Sequence, residues 1–370
     1  MATAFPAEDS HFTALSELFK DKLWFQLTEK LGDLLSVSHF QQPPHLLDLY
    51  TKFVKSFEKD LNKLSLAQFM IAASRQHEDY KSAMKFLDSA EIVKKDPQAE
   101  VMCNMEKVTR MIEAGELGAC STLLEGAKSS MDKFVGIMDP VVHSSYYKSH
   151  FLFSKAKNDP TKMFSNALLY LSYTPIEKIP ETAREAFAYD VSMAALVGKD
   201  IFNFGELLER PVTKVLAESK TYAWALDLLQ AFNTGDIKAY DDIFAQKASS
   251  QPFLAENKKF LSIKIRILRL MVTVFNRPSH QRAIAFEEIA KTCDTKINEV
   301  EFVVMKAFSL GVLRGVIDQV SQTITITWVQ PRVLGKDQIK GMSKRLKEWS
   351  EEVLKATADV EEHSGEILHE

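Results

Sequence analysis

A chain of 370 residues with 46% apolar residues is long enough to bury more than one core. Its net charge of −4 excludes a protein coated with basic side chains for nucleic acid, though not a local basic patch. Cys103, Cys120 and Cys293 are scattered with no CxxC pair, which excludes a disulfide framework and fits a reducing compartment.

No basic segment followed by an apolar run opens the chain, so no signal peptide is expected. The apolar runs are far short of a membrane span. Residues 1–10 read as a loose polar tail. From His11 onward helical spacing dominates: Phe12, Leu15, Leu18 and Phe19, then Trp24, Leu27, Leu31, Leu34 and Leu35 recur at steps of three and four. Pro43 and Pro44 break the pattern, and residues 46–61 resume it with Leu46, Leu49, Tyr50, Phe53 and Phe57 on one face.

Paired segments follow at 64–77 and 80–94, 99–114 and 117–134, and 140–157 and 160–173. Small residues inside their apolar faces, such as Ala83, Ala119 and Ala167, let neighbours approach closely. This is the texture of a degenerate helical-hairpin solenoid. Helices at 180–198, 204–208, 212–217, 222–232, 237–248 and 257–275 extend the stack.

The spacing changes at Ala283. Residues 286–293 predict a short helix, Asp294 and Thr295 a turn with good N-cap types, and 297–310 a second helix. Gly311 stands where a left-handed C-cap wants no Cβ. Residues 312–318 and 323–329 read as strands. Helix, turn, helix and two strands make a winged helix. In its second strand Ile324, Ile326 and Trp328 alternate with Thr323, Thr325 and Thr327, so the threonines face outward. Such a strand is expected to offer an edge to another chain.

Beyond Pro331, the 335–370 tail carries Ile339, Met342, Leu346, Trp349, Val353, Ala356, Val360, His363 and Ile367 at alternating steps of three and four. Sustained over four heptads, that is a coiled-coil or bundle seam, expected to need partner helices.

The sequence holds no HExxH, GxxxxGK[ST] or GxSxG pattern. His143 and His150 lie two turns apart with no carboxylate between them, too few ligands for zinc. The second winged-helix segment carries Glu299 and Glu301 against Lys306, a poor charge set for a DNA groove, and its apolar residues point to packing against protein. A basic scatter precedes it: Lys258, Lys259, Lys264, Arg266, Arg269, Arg277 and Arg282. It leaves RNA binding as an alternative.

A helical-hairpin array running into a winged helix resembles the PCI domain, shared by subunits of the proteasome lid, the signalosome and a translation initiation factor. The phrases IFNFGELLERPV (201–212), AFNTGDI (231–237), FEEIAKTCDTKINEVEFVVMKAFSLGVLRGVID (286–318) and TWVQPRVLGKDQIKGMSKRLKEW (327–349) resemble, more narrowly, the 26S proteasome non-ATPase regulatory subunit 13 family. The resemblance implies a mainly α fold: a flexible tail at 1–10, hairpin repeats over 11–200, and a PCI domain over 201–331. Within that domain the helical part is 201–275 and the winged helix 283–329, followed by a bundle helix over 335–370. It implies a non-catalytic lid scaffold without cofactor or metal, a hetero-oligomer of the cytoplasm and nucleus. Its partners would be other PCI subunits and the deubiquitinase module, with neither nucleic acid nor membrane. Winged helices would stack through the edge at Thr323, Thr325 and Thr327. The bundle seam would be Ile339, Met342, Leu346, Trp349, Val353 and Val360. Another PCI assembly, signalosome or initiation factor, is the alternative.

Overall fold

Aspartate starts several of the helices. In a computed structural model describing residues 9–35, 42–77, 79–89, 91, 93–247, 252–277, 281–333 and 336–364, Asp79, Asp96, Asp139 and Asp159 each accept a bond from a first-turn N–H. After three of them a proline takes the first helical position, where its missing N–H costs nothing. The residues divide into two compact units between Arg184 and Glu185. The change of domain read from the sequence stood at 200/201.

The first unit contains α1 (Asp9–Lys20), α2 (Trp24–Leu34), α3 (His45–Lys52), α4 (Lys63–Ser74), α5 (Tyr80–Asp88), α6 (Pro97–Glu113), α7 (Leu117–Lys133), α8 (Pro140–Ala156) and α9 (Pro160–Tyr173). The hairpins pair α6 with α7 and α8 with α9, and α6 also packs on α4 and α8. The helix expected over 46–61 is shorter. It stops at Lys52, and a 3₁₀ turn, Val54–Ser56, follows. Phe53, Val54 and Phe57 are all buried there. Likewise α5 ends at Asp88, before a separate turn at Val93–Lys95. Among the described residues of this unit one carboxylate is buried. Glu106 takes two 2.9 Å bonds from the Arg75 guanidinium, a bidentate clamp between α6 and α4.

The second unit follows from α10 (Glu181–Val197), within which the division falls. It contains α11 (Gly205–Leu208), α12 (Val212–Glu218), α13 (Ala223–Thr234), α14 (Ile237–Lys247), α15 (Pro252–Glu256) and α16 (Lys258–Asn276). The winged helix is β1 (Ala283–Ala285), α17 (Phe286–Thr292), α18 (Ile297–Ser309), β2 (Leu313–Asp318) and β3 (Thr323–Val329), and α19 (Lys336–Ser364) ends the described chain. The strand β1 escaped the sequence reading because three residues are too short to show a period. Asp294 does make the turn, with φ of 47°, but it caps nothing. The N-cap of α18 is Lys296, which has no side-chain cap bond. Gly311 has φ of 69° and closes α18, with the Val312 N–H reaching the Ala307 carbonyl at 3.2 Å.

The spine of the second unit is α16. Leu261, Ile265, Leu268 and Met271 are buried along it, and it packs against α13, α14, α17, α18 and β3. Its most unusual core residue is Lys264, 1% exposed. The Lys264 Nζ donates to the carbonyls of Ala195 (2.9 Å), Leu196 (2.7 Å) and Gly198 (2.7 Å). These are the orphan acceptors at the C-terminus of α10, where the helix dipole is negative. Phe202, Phe204 and Phe260 rings surround the amine within 5.7 Å. Burial pulls the Lys264 pKa well below 10.5, and Asp200 opposes part of that shift.

Candidate assembly interface

The strands leave the winged helix in a fixed direction. After β3, the Gln330 N–H donates to the Val312 carbonyl at 2.9 Å. The Arg332 guanidinium donates to the Asn233 carbonyl (2.7 Å) and to its Oδ1 (2.9 Å), at the end of α13. The Val333 N–H donates to Asn203 Oδ1 at 3.2 Å, in the loop that also sinks Phe202 and Phe204 into the core. The segment entering α19 is therefore bonded to the helical part of its own unit through two asparagines.

Past this anchor the surroundings change. With 29 residues, α19 is about 43 Å long at 1.5 Å per residue. From Ile339 to His363 every side chain is exposed, leaving Gly341 aside. The six seam residues proposed from the sequence, Ile339, Met342, Leu346, Trp349, Val353 and Val360, share one face. Leu346 and Trp349 are 61% and 64% exposed. Ile367 lies outside the described residues. Leu354, which no step of three or four reaches from the seam, adds an exposed apolar side chain on its flank. An apolar stripe of this length on a surface marks a protein contact.

The sheet corrects the expectation for Thr323, Thr325 and Thr327. Strand order is β1–β3–β2, all antiparallel, so β3 is the middle strand. Ala283 to Ala285 pair with Thr325 to Thr323 on one side, and β2 pairs along the length of β3 on the other. The backbone groups of Thr323 and Thr325 are therefore not a free edge, while Thr327 lies beyond β1 and at the register shift opposite Arg314 and Gly315. The side chains of Thr325 and Thr327 are exposed on the sheet face, over a buried Ile324 and Ile326. The outer edges belong to β1 and β2. A bulge between Arg314 and Gly315 interrupts the register of β2. A Cβ on Gly315 would run into the Thr325 carbonyl oxygen, so the bulge admits only glycine.

The second winged-helix segment is core on one side only. Val300, Val303, Val304 and Ala307 are buried, whereas Ile297, Phe302 and Met305 are exposed. The sequence reading took the apolar residues of this segment as packed and did not extract the exposure of Ile297, Phe302 and Met305. The basic scatter separates. Lys264 is the buried cap of α10, and Arg277 pairs with Glu288.

Elsewhere the chemistry is that of a packed interior. Cys103, Cys120 and Cys293 are buried, and burial pushes the Cys103 and Cys293 thiols up to about 12. His143 stacks on Tyr173 at 4.8 Å, and His150 lies 4.3 Å from the Tyr146 ring. Burial, then Lys128, lowers the His150 pKa. No cluster of metal-ligating side chains occurs among the described residues, and no described helix is long and apolar enough to cross a membrane.

Hairpin repeats, a helical block closed by a winged helix, and a projecting terminal helix define a PCI-type subunit, and the model of the PCI domain matches residues 237–328. Models for PSD13 N-terminal repeats and for the Rpn9 C-terminal helix match residues 11–229 and 332–364. The chain belongs to the 26S proteasome non-ATPase regulatory subunit 13 (Rpn9) family. It is 35% identical to the 26S proteasome non-ATPase regulatory subunit 13 homolog A of Arabidopsis thaliana, over 96% of this chain and 94% of that one. It is 32% identical to the 26S proteasome regulatory subunit RPN9 of Saccharomyces cerevisiae, over 96% and 93%. It is 25% identical to the COP9 signalosome complex subunit 7a of Pongo abelii, over 46% of this chain and 58% of that one.

Proposed function

We propose that this chain is a non-catalytic scaffold subunit of the proteasome regulatory-particle lid, working in the cytoplasm and nucleus in support of ubiquitin-dependent degradation. Residues 11–200 form its repeats, 201–331 its PCI domain and 335–370 its bundle helix. Its partners are other PCI subunits and the deubiquitinase module. The carrying observation is the apolar face of α19, exposed along its length beyond a bonded anchor at Arg332 and Val333. A soluble helix with that face does not remain bare in its working state. The full-length similarity to proteasome regulatory subunits supports this assembly over a signalosome or initiation factor, whose relatives align over about half of the chain. The outward faces of the winged helix, Thr325 and Thr327 on the sheet and Phe302 and Met305 on α18, are the second contact surface.

The test removes the helix. A chain ending at Val333 is expected to fold with the helical content of its remaining elements and to fail to co-purify with lid subunits from cells that express it. Normal incorporation of the shortened chain would exclude α19 as the docking element. Ubiquitin-chain cleavage by the isolated chain is expected to be nil.

A further inference from the structure

The charges of α19 are segregated. From Ile339 to Lys347 there are four bases and no acid: Lys340, Lys344, Arg345 and Lys347. From Glu348 to Glu362 there are six acids and a single base, Lys355. The segregation does not serve the helix itself. The dipole favours acids near the N-terminus and bases near the C-terminus, and Glu361 and Glu362 stand in the last turns. One ion pair joins the halves among the described residues. It is Lys344–Glu348 at 3.7 Å, exposed and with the base N-terminal to the acid, the weaker order. The flanks of the seam also differ. Arg345 and Glu352 lie one heptad apart on one side, and Ser343, Ser350 and Thr357 on the other.

We infer that the helix which covers the seam of α19 carries the complementary charge order, acidic beside Lys340–Lys347 and basic beside Glu348–Glu362. This rests on the reading of the seam as a docking face and adds its partner's chemistry. The apolar stripe alone accepts a partner at any heptad register. The sign change between Lys347 and Glu348 admits one, because a slip of a heptad, about 10 Å of helix, sets like charges side by side. The short Ser343–Thr357 flank lets the partner approach closely, and the Arg345–Glu352 flank reads its charge.

The occupant is a heterologous helix. A second copy of α19 could meet the charge pattern only when antiparallel, centred between Lys347 and Glu348. In that register Leu346 faces Trp349 and Met342 faces Val353, but Lys336 already faces Asp359, and Glu361 and Glu362 run past the start of the copy's helix.

The test uses the full-length chain and two synthetic 29-residue helices, both with leucine at every seam position and equal numbers of Glu and Lys. In one peptide Glu and Lys occupy separate halves; in the other they alternate. At low salt the segregated peptide is expected to bind about tenfold more tightly, the sum of several weak exposed pairs. The advantage should vanish at about 1 M salt, where the screening length is about 3 Å. The mixed-charge chain variant K340E/K347E/E351K/E361K keeps net charge and seam, and should bind both peptides equally. Equal affinity of the two peptides for the unaltered chain at low salt overturns the charge reading and leaves the seam standing. A chain carrying Leu346→Asp, Trp349→Asp and Val353→Asp should bind neither peptide. If it binds both like the parent, the seam itself is wrong. A purified chain that sediments as a salt-sensitive dimer would assign the seam to a second copy and overturn the heterologous partner.

Discussion

Two amphipathic helices of this protein, α16 and α19, have opposite fates. In α16 the apolar face is sealed on several sides, and even the ammonium of Lys264 lies in the core. In α19 even Trp349 is largely exposed. Both stripes follow the same steps of three and four. Periodicity therefore specifies a helix with one dry face, and says nothing of which surface dries it. The first helix is satisfied by its own chain. The second carries its complement's description in its charges.

The largest expected effect breaks the comparison if it fails. Leu268→Ala in α16 should destabilise the second unit by about 2–5 kcal/mol, since a fully buried leucine leaves a cavity. Leu346→Ala in α19 should change stability by less than about 0.5 kcal/mol while weakening assembly. Urea unfolding monitored by circular dichroism measures both. Similar losses at the two sites would mean that α19 is covered by its own chain in solution.

Lys264→Met comes next, at about 1–3 kcal/mol, because it strips the donor from three buried carbonyls. The same pair of proteins has a pH signature. With the folded pKa of Lys264 below 10.5, the unfolded state holds more protons between those two values. The stability of the parent should thus rise relative to Lys264→Met as pH climbs towards 10.5. A difference that falls with pH instead would mean that the carbonyls hold the amine charged more strongly than burial discharges it.

Gly315→Ala should cost about 1–3 kcal/mol, as the new methyl meets the Thr325 carbonyl across the bulge. It tests how rigidly the sheet sets the exit towards α19. The smallest loss, on the order of 1 kcal/mol, is expected for Arg332→Ala, which frees the strand-to-helix segment from Asn233. Limited proteolysis near residue 333 should speed up in that variant, with the α16 core unaffected.

Much of this was legible along the chain. The winged-helix elements and their turn could be read because amphipathic helices, a glycine C-cap and a strand of alternating Ile and Thr are local signals. The heptads of the last helix showed its apolar stripe for the same reason. Other features were not legible, and each for a non-local cause. Three residues of β1 carry no period, yet they cover one side of β3 and turn an expected edge into a middle strand. The Lys264 side chain reads as one more surface base until α10, some seventy positions earlier, brings its last carbonyls to the amine. Where the helix over 46–61 breaks, Phe53 and Phe57 join Phe19 and Trp24 in an aromatic cluster drawn from distant positions, which no local spacing shows.

The sequence by itself determined the helical repeats, the winged-helix order and the apolar stripe of α19, because all of these are written in spacings within a few turns of chain. Tertiary structure alone decided which stripes are spent inside the chain and which remain on its surface. It put β3 in the middle of its sheet, hid Lys264 under α10 and tied Arg332 to Asn233. Burial is a property of what comes to lie opposite a residue, and that is settled only when distant segments meet.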